Sequence, residues 1–184
     1  MKTLVFSLFI SVTFGHLATA QSSDWKQLLQ QELEEFKACM KQSDNIKCRS
    51  AIGETIKAVY NIDDFYLSAT GTNSTALEIA NSIESKSAWK KLGQAYIQEV
   101  LTEAQELANR KKPVLAIYKG EDGLSAHVVL VLPGGLKPSG SWGLNVPMVA
   151  SFFTHDPEKS FIDKSLAYAF SKNMLLRIEL YARI

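Results

Sequence analysis

The pattern of apolar residues changes period near Pro113, and that change limits the fold more than any other feature of the chain. Before it, apolar residues recur every three or four positions, the mark of amphipathic helices. After it they come in short β-branched runs or alternate strictly, the mark of buried or half-buried strands. Leu28, Leu29, Leu33, Phe36, Cys39 and Met40 predict a helix from Ser23 to about Lys41, with Ser23 or Asp24 as its N-cap. Cys48, Ala51, Ile52, Thr55, Ile56 and Val59 predict a second, starting close to Cys48 and ending near Tyr60, in which Gly53 costs helix propensity but permits close packing. "TGTNST" ends in good N-cap residues before a third helix, "ALEIANSIESK", and a fourth runs from about Gln98 to Arg110.

Beyond Pro113, "VLAIYK" and "AHVVLVL" read as a hairpin of buried strands, and "WGLNVPMVASFF" as a third strand. In "MLLRIELYARI", Leu176, Ile178, Leu180, Ala182 and Ile184 alternate with Arg177, Glu179, Tyr181 and Arg183, which predicts a closing strand. Helices first and strands after give an α+β domain, with N-terminal helices packed on one face of a C-terminal antiparallel sheet. No internal repeat or low-complexity tract interrupts it.

The first twenty residues, "MKTLVFSLFISVTFGHLATA", combine Lys2, an apolar run from Leu4 to Phe14 and a small-x-small Ala18-Thr19-Ala20. This is the pattern of a secretory signal peptide, and the run is too short to span a bilayer. Residues 1–20 are therefore expected to be a leader and 21–184 a single domain, exported to a periplasm or secreted, with no membrane span. Without the leader the formal charge falls from +1 to 0, because Lys2 leaves and no acid does. Such a balance speaks against nucleic acid as a partner. His127 and His155 then remain with Cys39 and Cys48, and neither CxxC nor HExxH spacing is present, so no metal site is implied.

Cys48, at an expected helix start, stands where backbone N–H groups and the helix dipole favour a thiolate. His127 opens a core strand. A helix packed on the sheet would make the two a nucleophile and its base. The block "ELANRKKPVLAIYKGEDGLSAHVVLVLPG", Glu106 to Gly134, resembles papain-like bacterial cell-wall cysteine peptidases and amidases of the NlpC type, in which a cysteine opens an early helix and a histidine opens a later core strand. The resemblance implies a papain-like fold and an exported hydrolase that cleaves an amide bond, foremost in peptidoglycan stem peptides, with Cys48 attacking and His127 relaying the proton. It implies no metal or organic cofactor, and a peptidoglycan or peptide substrate as partner. Oligomeric state stays open, with a monomer expected.

A third group should orient the imidazole. If the strand with His127 pairs with "WGLNVPMVASFF" across the "PGGLKPSGS" loop, residues near 131 face residues near 146 and His127 faces roughly residue 150. Ser151 is the polar side chain at that level. Asn145 is chemically the better orienter but lies roughly 17 Å away along the strand; a main-chain carbonyl is the third alternative. For the oxyanion, the Cys48 backbone N–H would be joined by Gln42, six residues before it, or by Asn45. The competing reading of Cys48 is a disulfide with Cys39, nine positions away, as expected of an exported protein. A bridged chain would be a catalytically inactive relative, an envelope protein acting as a binding module. His155, in "FTHDPEKS", reads as a turn histidine. Trp89 and Trp142 are candidates for a substrate groove or for the core.

Overall fold

The structure, a computed structural model, describes residues 24–184; the expected leader, residues 1–20, lies outside the described residues. Five α-helices are described: α1 (Trp25–Met40), α2 (Ala51–Tyr60), α3 (Ala76–Ser82), α4 (Gln98–Asn109) and the single turn α5 (Leu166–Ala169). The strands are β1 (Tyr66–Leu67), β2 (Thr72–Asn73), β3 (Trp89–Gln94), β4 (Val114–Lys119), β5 (Ala126–Val131), β6 (Lys137–Ser139), β7 (Leu144–Val146), β8 (Met148–Ser151), β9 (Phe161–Ser165) and β10 (Ile178–Arg183). Six of them form one sheet in the order β3-β10-β4-β5-β8-β9, and every neighbouring pair is antiparallel. Two short hairpins, β1-β2 and β6-β7, stand apart from it. The fold class is α+β, helices first and sheet after, and among the described residues no helix is long and apolar enough to cross a membrane.

Each central strand is buried on both sides, and its alternation assigns its residues to two separate cores. Leu115, Ile117, Val128, Leu130, Leu132, Ala150, Phe152 and Tyr181 belong to a first core under Leu29, Leu33 and Phe36 of α1, Ile52, Ile56 and Val59 of α2, and Ile79 and Ala80 of α3. Val114, Ala116, Val129, Val131, Val149, Ile178, Leu180 and Ala182 belong to a second core under Leu101, Ala104 and Ala108 of α4, with Leu166 and Phe170 beside them. The helices therefore cover both sheet faces, which corrects the expectation of one. The fourth helix turns over to the second face because β3, "WKKLGQ", pairs as an edge strand with β10 and returns the chain to the far side. Its charged, exposed residues give it no apolar period, so the sequence pattern marks no strand there.

Local chemistry explains the helix ends. Thr75 caps α3 in a reciprocal box: its hydroxyl accepts from the Glu78 amide while the Glu78 carboxylate accepts from the Thr75 amide. α2 stops at Asn61, which takes the left-handed conformation (φ 52°) and returns its N–H to the Lys57 carbonyl. Gly53 keeps α2 close to the segment after β2. A Cβ there would come within 2.6 Å of the Ser74 carbonyl oxygen and 2.9 Å of the Asn73 Cβ, and both are fixed backbone or near-backbone atoms. Gly53→Ala should therefore lower stability by about 1–3 kcal/mol in urea unfolding, despite alanine's better helix propensity. A stabilised variant would mean that this contact is loose.

Candidate functional site

Cys48 stands just before α2, in a 3-10 turn over Ile46–Ser50, and its N–H already donates to the Asn45 carbonyl at 3.1 Å. It is thus neither the first residue of an α-helix nor the owner of a spare amide, and the expected helix-start thiolate and oxyanion donor are both absent from this position. Its sulfur is bonded to Cys39 at the end of α1, with Cα atoms 5.9 Å apart, and the described residues contain no free cysteine. The bridge is buried at Cys48 and lies in the first core. Gln42, the expected oxyanion partner, is exposed in the turn after α1, and its amide donates to the Cys39 carbonyl at 3.0 Å. Its side chain makes no hydrogen bond among the described residues.

His127 lies on the other side of the sheet. Along β5, Val128 and Leu130 face the first core while Val129 and Val131 face the second, so His127 shares the second face with Val129. Its ring stacks on Phe153 (centroids 4.6 Å apart, planes 14° apart) and meets the edge of Phe170 at 5.4 Å. Phe170 is a buried member of the second core, and Phe153 packs against that core. The sheet separates the imidazole from the Cys39–Cys48 bridge, and the nucleophile-base pair of Cys48 and His127 is not assembled.

Ser151 and His127 do meet. Ser151 Oγ lies 2.8 Å from His127 Nε2, and Ser151 is fully buried. The register that brings them together differs from the expected one by three residues: Val129 pairs with Ser151, Leu130 with Ala150 and Val131 with Val149. Continued by two residues, this register sets His127 opposite Phe153, its stacking partner, with Ser151 two residues along on the same face. The shift has a simple source. Leu144–Val146 do not pair with β5 but with Lys137–Ser139, and Pro147 separates the two short strands that the sequence presents as one. Asn145 is held elsewhere: the Gln98 side chain accepts from its N–H at 2.9 Å and donates to its carbonyl at 3.0 Å.

The Ser151 hydroxyl fixes the histidine tautomer. A buried hydroxyl needs an acceptor for its hydrogen, and Ser151 Oγ has no hydrogen-bond partner among the described residues except Nε2. Ser151 therefore donates to Nε2, and the proton of the neutral ring sits on Nδ1. Among the described residues Nδ1 has no hydrogen-bond partner, and the ring is only part-buried. Burial against the two phenyl rings makes charging the imidazole costly and pushes its pKa down to about 4.

A cavity of about 350 Å³ opens beside this ring, lined by Tyr118, Ala126, His127, Phe153, Ala169 and Met174 together with Ser125, Thr154, His155 and Asp156. A second cavity, of about 380 Å³, lies beside the helices of the first face, near Asn45, Arg49, Thr75 and Leu77. Ser125, Ala126, Thr154 and His155 line both, so the ends of these two segments form the wall between them. Phe153, Phe170, Tyr118 and Met174 carry no sequence signal for a site, and only Tyr118, directly across the ladder from His127, follows from strand pairing. Trp89 and Trp142 are buried; Trp89 Nε1 donates to Asp64 at 2.9 Å.

In comparison with known proteins, no protein-family profile matches the sequence and no curated protein does so.

The depressed pKa fixes a sign for acid sensitivity. The unfolded chain binds the His127 proton near its ordinary value of 6.5, the folded chain only near 4, so this group's stabilisation is complete above 6.5 and is lost as pH falls towards 4. Glu32, raised to about 7 by burial and by the nearby Glu35 and Glu54, acts in the opposite sense, with stability lost as pH rises from its ordinary value of 4.5 through 7. The two are separated by comparing wild type with His127→Gln. Between pH 6.5 and 4 the wild type should lose about 3 kcal/mol more than the variant, and its imidazole proton resonances should titrate with a midpoint near 4. A midpoint near 6.5 would contradict the desolvated, neutral ring.

Proposed function

We propose that the chain is an exported envelope protein of papain-like descent that works as a binding module and performs no Cys-His hydrolysis. One observation carries this reading: the Cys48 sulfur is bonded to Cys39 under one face of the sheet, while His127 belongs to the other face. Cysteine hydrolysis needs a thiolate within hydrogen-bonding reach of its base, and an imidazole with a pKa near 4 is a weak base at neutral pH. The Cys48 amide, which an oxyanion hole would need, is bonded to Asn45. Export is supported by the bridge itself, because disulfides persist in oxidising compartments, and by the leader pattern of the first twenty residues. The resemblance of Glu106–Gly134 to cell-wall peptidases supports an envelope partner, with peptidoglycan or its peptides as the first ligands to test.

Thiol titration of the protein, expressed with its leader and purified from the exported fraction without reductant, tests this. The expected result is no reactive thiol before reduction and two after it, with no soluble fragments released from purified peptidoglycan in either state. Two free thiols in the native protein, together with fragment release that Cys48→Ala abolishes, would overturn the proposal in favour of the hydrolase.

A further inference from the structure

The cavity beside His127 has a definite donor and acceptor character. Its walls are apolar or aromatic at Ala126, Phe153, Ala169 and Met174. Within it stands a ring whose Nε2 is occupied by Ser151 and whose Nδ1 keeps a hydrogen with no acceptor among the described residues. Tyr118 is also in the lining, and its hydroxyl makes no hydrogen bond among the described residues. The volume of about 350 Å³ lies in the range of small-molecule sites, roughly 300–1,000 Å³, towards its lower end. Water can answer a donor in an open cavity, and a ligand that displaces that water must supply an acceptor in its place or forfeit the hydrogen bond.

We propose that this cavity binds a small aromatic or branched aliphatic molecule bearing a neutral carbonyl, which accepts a hydrogen bond from Nδ1–H of His127 while its apolar part lies against Phe153 and Met174. The inference rests on the non-catalytic reading above, because it gives His127 a ligand to hold instead of a thiol proton to carry. A carboxylate fits less well. The ring is neutral, the lining holds no lysine or arginine, and its one carboxylate, Asp156, is already paired with Lys159 at 2.7 Å, so an entering anion would be desolvated without a counter-charge. A pure hydrocarbon leaves Nδ1–H unanswered. Ser151 is a positioning residue: its hydroxyl keeps the proton on Nδ1, and without it the ring can place the proton on either nitrogen.

Three probes of nearly one shape separate these cases: benzamide, benzoate and toluene, each titrated into the full chain at neutral pH and followed by amide and side-chain chemical shifts. Benzamide should shift the resonances of Ala126, Phe153 and Met174 and bind about three- to tenfold tighter than either of the others, the worth of one hydrogen bond. His127→Phe, which keeps a stacking ring, should erase that preference, and Met174→Trp should abolish binding by filling the cavity. Imidazole nitrogen shifts should show Nδ1–H in the wild type and a mixture of tautomers in Ser151→Ala. Benzoate binding best, toluene matching benzamide, a preference that survives His127→Phe, or an Nε2–H ring in the wild type would each overturn the proposal. So would benzamide producing no shifts at the cavity in a folded wild-type protein. That last result would leave the binding-module reading intact, since thiol titration and the fragment-release assay decide it separately.

Discussion

Strand β5 divides the molecule. It lies between β4 and β8, both of its faces are covered, and its side chains point alternately into two cores that share nothing but the sheet. A strand in this position cannot slip by one residue without moving Val128, Leu130 and Leu132 from one core to the other, so its register is strongly held. The consequence for His127 is fixed by the same parity. Whatever holds Val129 and Val131 against α4 holds the imidazole on that side as well, away from α1, α2 and the cysteine bridge.

The bridge and the imidazole consequently do different work. Cys39–Cys48 ties the end of α1 to the turn that leads into α2, closing a short loop and so reducing the freedom of the unfolded chain. It does so inside the first core, where Cys48 packs as an apolar group. His127 and Ser151 are a polar pair embedded in the aromatic part of the second core, where a polar side chain is tolerated only when hydrogen-bonded. Their single mutual bond satisfies the serine and one ring nitrogen. The other nitrogen has no hydrogen-bond partner among the described residues, and the cavity that His127 lines opens beside the ring.

Much of the fold is legible in the sequence because its periodic segments are long and clean. α1, α2, α4, β4 and β5 follow from apolar spacing, as does β10 from Ile178 onward, although Met174–Arg177 of the expected strand belong to a 3-10 turn; the N-terminus of α3 follows from the capping residues that end "TGTNST". β3 is not legible, since "WKKLGQ" is an edge strand whose polar residues face water and whose pairing is decided by β10. The break at Pro147 is visible as a residue but not as a consequence. Treating Trp142–Phe153 as one strand shifts the register by three, and Ser151 reaches His127 by the diagonal instead of the straight pairing. The side of the sheet on which Cys48 lies is not legible, because chain order and spacing do not report on which face two side chains fall. The alternation of "AHVVLVL" against "VLAIYK" could have raised the question, but only a knowledge of which face α1 and α2 cover answers it.

The reactivity of an unbridged Cys48 tests the separation most directly. In Cys39→Ser the Cys48 thiol is released without reductant, and its alkylation rate as a function of pH reads the thiol pKa. The sheet's separation of the two residues requires slow alkylation at neutral pH, a midpoint at or above the ordinary cysteine value of about 8.5, and no change on adding His127→Phe. Fast alkylation at neutral pH with a midpoint well below that value, lost when His127 is replaced, would place the thiol and the imidazole in one site and contradict the account.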